Sequence, residues 1–356
     1  MSKLRIGIIG SGGIAQGSHM RGYAAIPDLC EIVATCDVKE EIAKQAAEKF
    51  GVAKTYTDYK EMLAKENLDG VSVATPNKFH KQPTIDALKA GVNVLCEKPL
   101  GMNADECREM CAAARDSGKI LQVGLQSRFN GPPRWLKQYI DAGNMGDVYF
   151  ARAWAIRRRG VPAWGVFINK DLQGGGPLID IGVHILDLTL FLMGYPKPVS
   201  ATGKAWNTLG KNPELWNAWG EYDREKFTVE DFAVGMIKFD NGAVVSLESS
   251  FMANAPDRFE TQLFGTKAGA IVEPYTGSES IRIFTEQSRQ LMDIKPSNIP
   301  HVDSAHSDEV KAFVNAIIGG KPSPVPGENG LTLNAIFDAI YKSSETGDEE
   351  KVDVSF

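Results

Sequence analysis

The sequence has no long apolar run. Its most hydrophobic stretch, Ile181 to Met193, is interrupted by His184 and Asp187 and falls short of the ~18 residues that span a bilayer. The apolar run near the N-terminus, Ile6 to Ile9, is shorter than the ~7–15-residue core of a signal peptide. These absences predict a cytoplasmic protein that has no membrane partner.

Cysteine is scarce and basic charge is not in excess. The five cysteines form neither a secreted disulfide framework nor a paired CxxC pattern. Cys107 and Cys111 are one helical turn apart, but no histidine stands near them in sequence to complete a zinc site, so we expect free thiols and no metal. With 39 basic and 45 acidic residues, the chain carries a formal charge of −6, which argues against nucleic acid as a partner. A small-molecule partner is expected instead.

The length of 356 residues predicts two domains, because single cores usually stop growing near ~250–300 residues. Residues 1–125 alternate short apolar runs with helical stretches, which is typical of a doubly wound parallel sheet. The predicted strands are Leu4–Gly10, Glu31–Asp37, Leu68–Thr75, Val92–Cys96 and Ile120–Gly124. They are mostly apolar rather than alternating, as strands covered on both faces should be. We therefore expect an α/β Rossmann domain over 1–125.

Longer strand-like runs follow in residues 126–356, where Asp240-Asn241-Gly242 is a hairpin signal. These features predict an α+β domain with an open, mainly antiparallel sheet. In one strand both faces are apolar and are not expected to face solvent. Phe232, Val234 and Met236 lie on one face, and Ala233, Ile237 and Phe239 lie on the other. A second subunit on one face would make a homodimer or homotetramer. Helices of the same chain on both faces are the alternative.

A glycine-rich loop follows the first predicted strand and precedes a helix. It reads G-x-G-x-x-A from Gly10, which permits a tight turn and lets the backbone at Gly12 approach a pyrophosphate. Asp37 ends the second strand, where its carboxylate can accept hydrogen bonds from the adenosine ribose and repel a 2′-phosphate. NAD is therefore favoured, although Lys39 keeps NADP open. A glycine-rich turn without a ligand is the alternative.

Two further strands end in polar tripeptides, at the edge of the sheet where open α/β proteins bind ligands. Thr75, Pro76 and Asn77 follow one of them, and Glu97 and Lys98 follow the next. A charged amine at the end of a buried strand costs desolvation free energy unless the amine is functional or has an interaction partner. Lys98 is therefore a candidate functional residue, and a structural ion pair with Glu97 is the alternative.

Gly174-Gly175-Gly176-Pro177 predicts the start of a helix that runs through residue 188. On a continuous helix, Asp180, His184 and Asp187 share one stripe among aliphatic residues. Such a stripe must face a polar cleft, pair internally or bind a cation. We favour catalysis, with His184 as a base whose tautomer Asp180 fixes. A structural pair or a metal site built on the same two residues is the alternative.

Together these motifs resemble the Gfo/Idh/MocA family of sugar and inositol dehydrogenases, and the resemblance spans both domains. It implies that Lys98 orients the substrate oxygen, while His184 or Asp180 takes the hydroxyl proton during hydride transfer to NAD(P). It also implies subunit contacts through the second sheet. The cofactor-binding residues expected on these grounds are Gly10, Gly12, Gly13, Ile14, Asp37, Thr75, Pro76, Asn77, His80, Glu97, Lys98 and Gln126.

Fewer residues of the sequence indicate substrate specificity than indicate cofactor binding. Arg128 and Arg157 are candidates for holding an acidic substrate group, and Trp164 for stacking on a sugar ring, together with Lys98, Asp180 and His184. Solvated or core positions explain the arginines and the tryptophan equally well. The expected function is an NAD(P)-dependent oxidoreductase that interconverts a secondary hydroxyl and a ketone on a sugar, sugar derivative or inositol. An NAD-dependent glycosidase using transient oxidation, a non-catalytic sugar-sensing regulator and a metal-dependent hydrolase are the alternatives.

Overall fold

The computed structural model describes residues 2–275 and 280–356 and divides the chain into two compact units. The first unit consists of the residues up to Gln126 together with Ser304–Asn334 and Ser355–Phe356. The second consists of Ser127–Asp303 and Ala335–Val354. Each unit is built around its own sheet.

The first unit contains a six-stranded parallel sheet with the order β3-β2-β1-β4-β5-β6. This is the doubly wound order in which the chain reverses direction between β1 and β4, and it confirms the predicted Rossmann class. The edge strand β3 is only three residues long and was not predicted. The strands are β1 (Leu4–Ile9), β2 (Cys30–Cys36), β3 (Lys54–Tyr56), β4 (Gly70–Val73), β5 (Asn93–Glu97) and β6 (Leu121–Gly124).

Helices connect these strands, and their ends carry ordinary capping signals. Asp58 and Asn103 accept hydrogen bonds from backbone amides in the first turns of α3 and α5, and glycines with positive φ, Gly51 and Gly118, end α2 and α5. A π-helical turn, Ala15–His19, precedes α1. The helices are α1 (Met20–Ala24), α2 (Glu40–Phe50), α3 (Tyr59–Lys65), α4 (Lys81–Lys89) and α5 (Ala104–Ser117).

The second unit contains a nine-stranded sheet with the order β14-β13-β12-β11-β7-β10-β9-β8-β15. All neighbouring pairs are antiparallel except β7 and β10, so the expected mainly antiparallel sheet is confirmed. The strands are β7 (Val148–Ile156), β8 (Pro198–Trp206), β9 (Phe232–Phe239), β10 (Val244–Ser250), β11 (Arg258–Gly265), β12 (Ala268–Val272), β13 (Ile281–Gln287), β14 (Gln290–Ile294) and β15 (Glu350–Lys351).

The faces of this sheet differ in their cover. Ala233, Ile237 and Phe239 are buried, whereas Met236 on the opposite face is 41% exposed. The helices placed before β8 in the chain are α6 (Gly131–Asp141), α7 (Lys170–Gln173), α8 (Pro177–Asp180) and α9 (Gly182–Leu192). Among the described residues no single helix is long and apolar enough to cross a membrane; one bent pair, Lys170–Asp180 with Gly182–Leu192, reaches that length and composition.

The predicted boundary between residues 125 and 126 implies that the chain passes only once from the first unit to the second. In the structure the chain passes between the two units more than once. Helix α10 (Ala305–Gly319) belongs to the first unit, and the long helix α11 (Gly327–Thr346) contributes to both. The reason lies in packing, because Val310, Phe313 and Val314 join the core cluster that contains Ile6 and Tyr23. Apolar periodicity identifies these helices but does not show which core they complete.

Candidate functional site

Gly10 lies at the point where the order of the parallel strands reverses. Its φ of +83° favours glycine, and a Cβ there would lie 2.7 Å from the Ala74 carbonyl carbon. The Gly10 amide donates to the Cys36 carbonyl oxygen at 2.9 Å, which joins the ends of β1 and β2. The first glycine of the loop is therefore required by the turn itself.

Gly12 and Gly13 differ from Gly10, because the chain itself gives no reason for glycine at either position. Neither has a positive φ, and a Cβ on either would meet no atom within 4 Å. Open space beside backbone amides at the start of a helix fits the pyrophosphate of a dinucleotide. Ile14, which follows them, is also exposed. These residues thus fit the predicted cofactor.

Asp37 extends β2 and lies directly against the glycine loop. One carboxylate oxygen accepts a hydrogen bond from the Ser11 amide at 3.0 Å, and the other accepts from the Lys39 amide at 3.0 Å. The side chain is half-buried, so part of it remains accessible to a ligand. A negative charge is thus fixed beside the loop, where the adenosine ribose of a bound dinucleotide lies in this fold.

The loop after β4 is held by His80. The ring is buried, and its two nitrogens lie 2.8 Å from the carbonyl oxygens of Thr75 and Pro99. Burial lowers the pKa of His80, and the two backbone hydrogen bonds oppose that shift. His80 therefore clamps the segment Thr75-Pro76-Asn77 to the loop after β5. These contacts support the loop, and the cofactor contact of His80 stays a prediction.

Glu97 anchors the backbone of Lys98 within a buried network. One Glu97 oxygen lies 2.8 Å from His19 Nε2, and the other accepts from the Lys98 amide at 3.0 Å. The other ring nitrogen of His19 contacts the Ser72 hydroxyl at 2.9 Å, and Ser72 contacts Tyr23. The chain thus holds the half-buried Lys98 at the carboxyl end of β5, as its sequence position predicts. Glu97, the alternative ion-pair partner of Lys98, accepts a hydrogen bond from the Lys98 backbone.

Opposing effects determine the ionisation of Glu97. Burial favours the neutral form, but the hydrogen bond and charge of His19, with the charges of Lys98 and His306, outweigh it and lower the pKa of Glu97 to about 2. The contribution of His19 was missed at the sequence level, because nothing in a lone histidine after a glycine loop indicates a partner near residue 97. Gln126, also predicted near the cofactor, is buried after β6.

In the second unit, three glycines lead into α8 and each is required by the chain itself. Gly174 has a φ of +87°, a Cβ on Gly175 would lie 2.0 Å from the Tyr341 hydroxyl oxygen, and one on Gly176 would lie 2.2 Å from the Glu230 carbonyl oxygen. The glycines predicted to open the helix thus allow Glu230 and α11 to approach its first turn.

The carboxylate of Glu230 binds that first turn. It accepts hydrogen bonds from the amides of Gly176 at 2.8 Å and Leu178 at 3.1 Å, and from the Tyr341 hydroxyl at 2.9 Å. Burial raises the pKa of Glu230, and these hydrogen bonds limit the shift. Glu230 satisfies amides that a helix leaves without intrahelical partners. It was missed because it lies 54 residues from Gly176 in sequence.

The prediction of one continuous helix through residue 188 is wrong, because the chain breaks at Ile181 between α8 and α9. The Ser249 hydroxyl donates to the Pro177 carbonyl oxygen at 2.6 Å, and a Cβ on Gly182 would lie 3.3 Å from that hydroxyl oxygen. The Ile181 amide keeps its own hydrogen bond to that carbonyl at 3.1 Å, so Ser249 adds a second donor at the break. Asp180 therefore ends one helix, and His184 lies in the first turn of the next.

Asp187 does not belong with the other two members of the predicted stripe. It is buried and forms an ion pair with Arg128, whose Nε lies 3.1 Å from an Asp187 carboxylate oxygen. The Tyr195 hydroxyl also donates to this carboxylate, and the guanidinium carbon of Arg128 lies 5.1 Å from the ring centre of Phe191. The structure thus gives Arg128 a buried structural partner in Asp187, and its contact with substrate stays a prediction.

Asp180 has a cationic neighbour in Arg157. The carboxylate is buried, and its Oδ2 lies 4.0 Å from Arg157 Nη1. Burial lowers the pKa of Arg157, and the negative charge of Asp180 opposes that shift. His184 is half-buried nearby in sequence, at the start of α9. The second unit therefore brings together two predicted site residues, Arg157 and Asp180, at one end of a broken helix.

No group of three or more His, Cys, Asp or Glu side chains positioned to hold a metal occurs in residues 2–275 and 280–356. The five cysteines are free and buried. The geometry of the described residues therefore defines a dinucleotide-binding Rossmann unit and a second α/β unit with a buried acid at a helix terminus.

Comparison with known families assigns this architecture. Residues 4–125 match the oxidoreductase family with an NAD-binding Rossmann fold, and residues 137–354 match the C-terminal alpha/beta domain of that family. The protein is thus an NAD-binding oxidoreductase. It belongs to the Gfo/Idh/MocA family, as its motifs predicted.

Relatives in this family act on sugars and inositols. The chain is 38% identical to D-glucoside 3-dehydrogenase of Escherichia coli (strain K12), over 97% of each chain. It is 26% identical to myo-inositol 2-dehydrogenase of Thermotoga maritima, over 96% of each. Among solved structures, levoglucosan dehydrogenase in complex with NADH has a TM-score of 0.87 at 22% identity, covering 99% of this chain and all of that one. This last likeness concerns the fold.

Proposed function

We propose that the protein is an NAD-dependent dehydrogenase that oxidises a secondary hydroxyl on a sugar ring to a ketone. The observation that carries this proposal is the pair of supports beneath two predicted catalytic segments. Glu97 binds the Lys98 amide at the carboxyl end of a Rossmann strand, and Glu230 binds the first turn of the helix that ends in Asp180. Family membership supplies the reaction class.

In this proposal the side chains divide the reaction between them. NAD would be held by the glycine loop at Gly12 and by Asp37, and when bound would supply the acceptor for the hydride of the carbon that carries the reacting hydroxyl. His184 takes the hydroxyl proton, Asp180 stabilises the resulting positive charge, and Lys98 donates a hydrogen bond to the substrate oxygen. Two electrons and one proton leave as hydride and the other proton passes to His184, so the alcohol becomes a ketone.

Asp37 supports a preference for NAD over NADP. Its carboxylate is fixed against the glycine loop through the Ser11 and Lys39 amides, so a 2′-phosphate there would meet a negative charge. We expect Asp37→Asn, which preserves the shape and removes the charge, to lower the ratio of kcat/KM for NAD to that for NADP by about tenfold, or ~1.4 kcal/mol. An unchanged ratio would exclude this role for Asp37.

The relatives suggest the substrates to test first. D-glucosides come first because D-glucoside 3-dehydrogenase is 38% identical, followed by levoglucosan and myo-inositol. The assay follows NADH formation spectrophotometrically with purified protein, NAD or NADP, and a panel of methyl glycosides, free aldoses, sugar acids, levoglucosan and inositols. Reduction of NAD with one of these compounds identifies reaction and substrate together.

Two variants test the assigned roles. Lys98→Met and His184→Ala should each lower kcat by at least ~100-fold, the usual contribution of general acid-base catalysis, while NAD binding measured by fluorescence remains. Retained turnover in both would contradict the proposal. Release of an aglycone from a glycoside with no net NADH would indicate the glycosidase instead. Binding of sugar and NAD without any turnover would indicate a regulator.

We also propose a homo-oligomer formed through the exposed face of the second sheet. On that face Trp206 contacts Phe232 across the strands, and both Trp206 and Met236 are exposed in the single chain. A second copy would cover these apolar side chains. Light scattering after size exclusion should show a dimer or tetramer, and Met236→Glu should shift it toward monomer. A monomeric wild-type protein would refute this proposal.

A further inference from the structure

Four side chains of the second unit form a stack that starts in the core and ends in solvent. The Arg157 guanidinium carbon lies 5.6 Å from the ring centre of the fully buried Phe251 and 4.1 Å from that of Trp219. Trp219 in turn stacks on Trp164, with ring centres 5.7 Å apart and planes 20° from parallel. Planar guanidinium groups and aromatic rings favour this arrangement.

The outermost ring presents an open apolar surface. Trp164 is 58% exposed, compared with 39% for Trp219. The ring of Phe167 packs edge-on against Trp164, with ring centres 6.3 Å apart. Single exposed apolar residues need no explanation, but adjoining ones held in fixed geometry mark binding sites. A tryptophan face also suits the apolar face of a ring that carries hydroxyls at its rim.

The loop that supplies Trp219 is fixed to the backbone that follows β7. The buried side chain of Asn217 accepts from the Val161 amide at 3.0 Å and donates to the Val161 carbonyl oxygen at 2.9 Å. The Ala218 amide donates to the Arg159 carbonyl oxygen at 3.0 Å. The position of the stacked rings is therefore set by hydrogen bonds before any ligand binds, which lowers the entropic cost of binding.

The stack is also continuous with the proposed reaction site. Arg157, its second member, lies beside the buried carboxylate of Asp180, with Nη1 4.0 Å from Oδ2. One guanidinium group thus contacts both a predicted catalytic acid and an aromatic platform. A ligand that contacts both Asp180 and Trp164 would therefore span the two side chains that separate them, Arg157 and Trp219.

We propose that Trp164, supported by Trp219 and Arg157, binds the ring attached to the glycosidic oxygen of a glycoside whose sugar is oxidised near Asp180. The substrate class is then a glycoside with a ring-bearing aglycone or a second sugar, in preference to a free monosaccharide. This inference rests on the proposed dehydrogenase function and adds a subsite to it. An aromatic aglycone and a second pyranose share the apolar ring face that the subsite recognises.

The test compares phenyl β-D-glucoside, cellobiose and methyl β-D-glucoside as substrates of the full-length protein. We expect Trp164→Ala to lower the ratio of kcat/KM for the phenyl glucoside or cellobiose to that for the methyl glucoside by at least fivefold. Trp164→Phe should recover part of that ratio. Trp216→Ala serves as the control, since Trp216 is 67% exposed on the loop that supplies Trp219, and should leave the ratio unchanged. Whichever large substrate shows the loss identifies the ring.

A binding measurement separates failure of the subsite from failure of the proposed reaction. Titration of the same two large glycosides should quench tryptophan fluorescence in the wild type and in Trp216→Ala, but less in Trp164→Ala. Quenching without turnover by any glycoside would retain the subsite and reject the dehydrogenase. The subsite itself is overturned if Trp164→Ala changes neither the ratio nor the quenching, or lowers turnover of all three glucosides equally.

Discussion

Two buried glutamates, one in each unit, support the predicted catalytic segments in chemically opposite ways. Glu97 in the first unit is held by the hydrogen bond and charge of His19 and by the charge of Lys98, which lower its pKa to about 2. Glu230 in the second unit accepts only neutral donors among its described hydrogen bonds, two amides and the Tyr341 hydroxyl, and burial raises its pKa.

The comparison shows that burial alone does not determine how a carboxyl group ionises. Both side chains are shielded from water, and burial disfavours the charged form of each. Cationic neighbours reverse the effect at Glu97, whereas hydrogen bonds from neutral groups only reduce it at Glu230. Glu97 therefore stabilises its surroundings chiefly as a charge partner, and Glu230 chiefly as a hydrogen-bond acceptor.

Removal of the Glu97 charge should have the largest effect on stability. A pKa lowered from 4.5 to about 2 corresponds to about 3 kcal/mol of folding free energy at neutral pH. We expect Glu97→Gln to lose about this amount in urea denaturation. Glu109→Gln is the control, because Glu109 pairs with Lys81 at the surface at 2.9 Å, and should lose no more than about 1 kcal/mol. Equal losses in the two variants would contradict the assignment.

The pH dependence of stability should differ in sign between the two glutamates. The folded-state pKa of Glu97 lies below the ordinary value, so its contribution is present above pH 4.5 and is lost as pH falls toward about 2. The deficit of Glu97→Gln relative to the wild type should shrink over that window. An unchanged deficit at acid pH would show that Glu97 acts through shape rather than charge.

Glu230→Gln should cost less, about 1–2 kcal/mol, because the amide oxygen still accepts one hydrogen bond from the first turn of α8. Since the folded-state pKa of Glu230 is raised, its contribution is complete below pH 4.5 and is lost as pH rises through that pKa. The deficit of this variant should therefore shrink as pH increases. Glu349→Gln, at a surface pair with Lys238, controls for charge removal. A deficit that grows with pH would refute the raised pKa.

Local sequence predicted the parts of the site that consecutive residues build. The glycine loop, Asp37 and the tripeptide at Lys98 follow strands whose apolar runs are easily recognised, and the structure describes them at strand ends. The turn residues Asp240-Asn241-Gly242 also identified the hairpin in which β9 and β10 pair. Spacing within a segment was sufficient because each signal lies within a few residues.

Interactions between distant segments were beyond the reach of that reasoning. The break at Ile181 interrupts an otherwise aliphatic helical run, and the Ser249 hydroxyl of β10 donates to the Pro177 carbonyl oxygen one turn before it. Glu230 reaches the glycines before α8 from 54 residues away, and His19 reaches Glu97 from 78 residues away. Nothing in the local pattern at any of these positions indicates its partner, so the supporting network appears only in three dimensions.

The smallest expected effect on stability comes from removing one of the three described hydrogen-bond donors to Glu230. Tyr341→Phe removes a hydroxyl that donates to the same Glu230 oxygen as the Leu178 amide, while the Gly176 amide keeps its own oxygen. We expect a loss of about 1 kcal/mol, the usual value of one hydrogen bond, measured by urea denaturation. Because that hydroxyl lowers the pKa of Glu230, its removal should also move the pH at which Glu230 loses its contribution upward. Tyr149→Phe, at an exposed tyrosine, is the control. A downward shift, or a loss no greater than that of the control, would show that the two backbone amides alone hold the carboxylate.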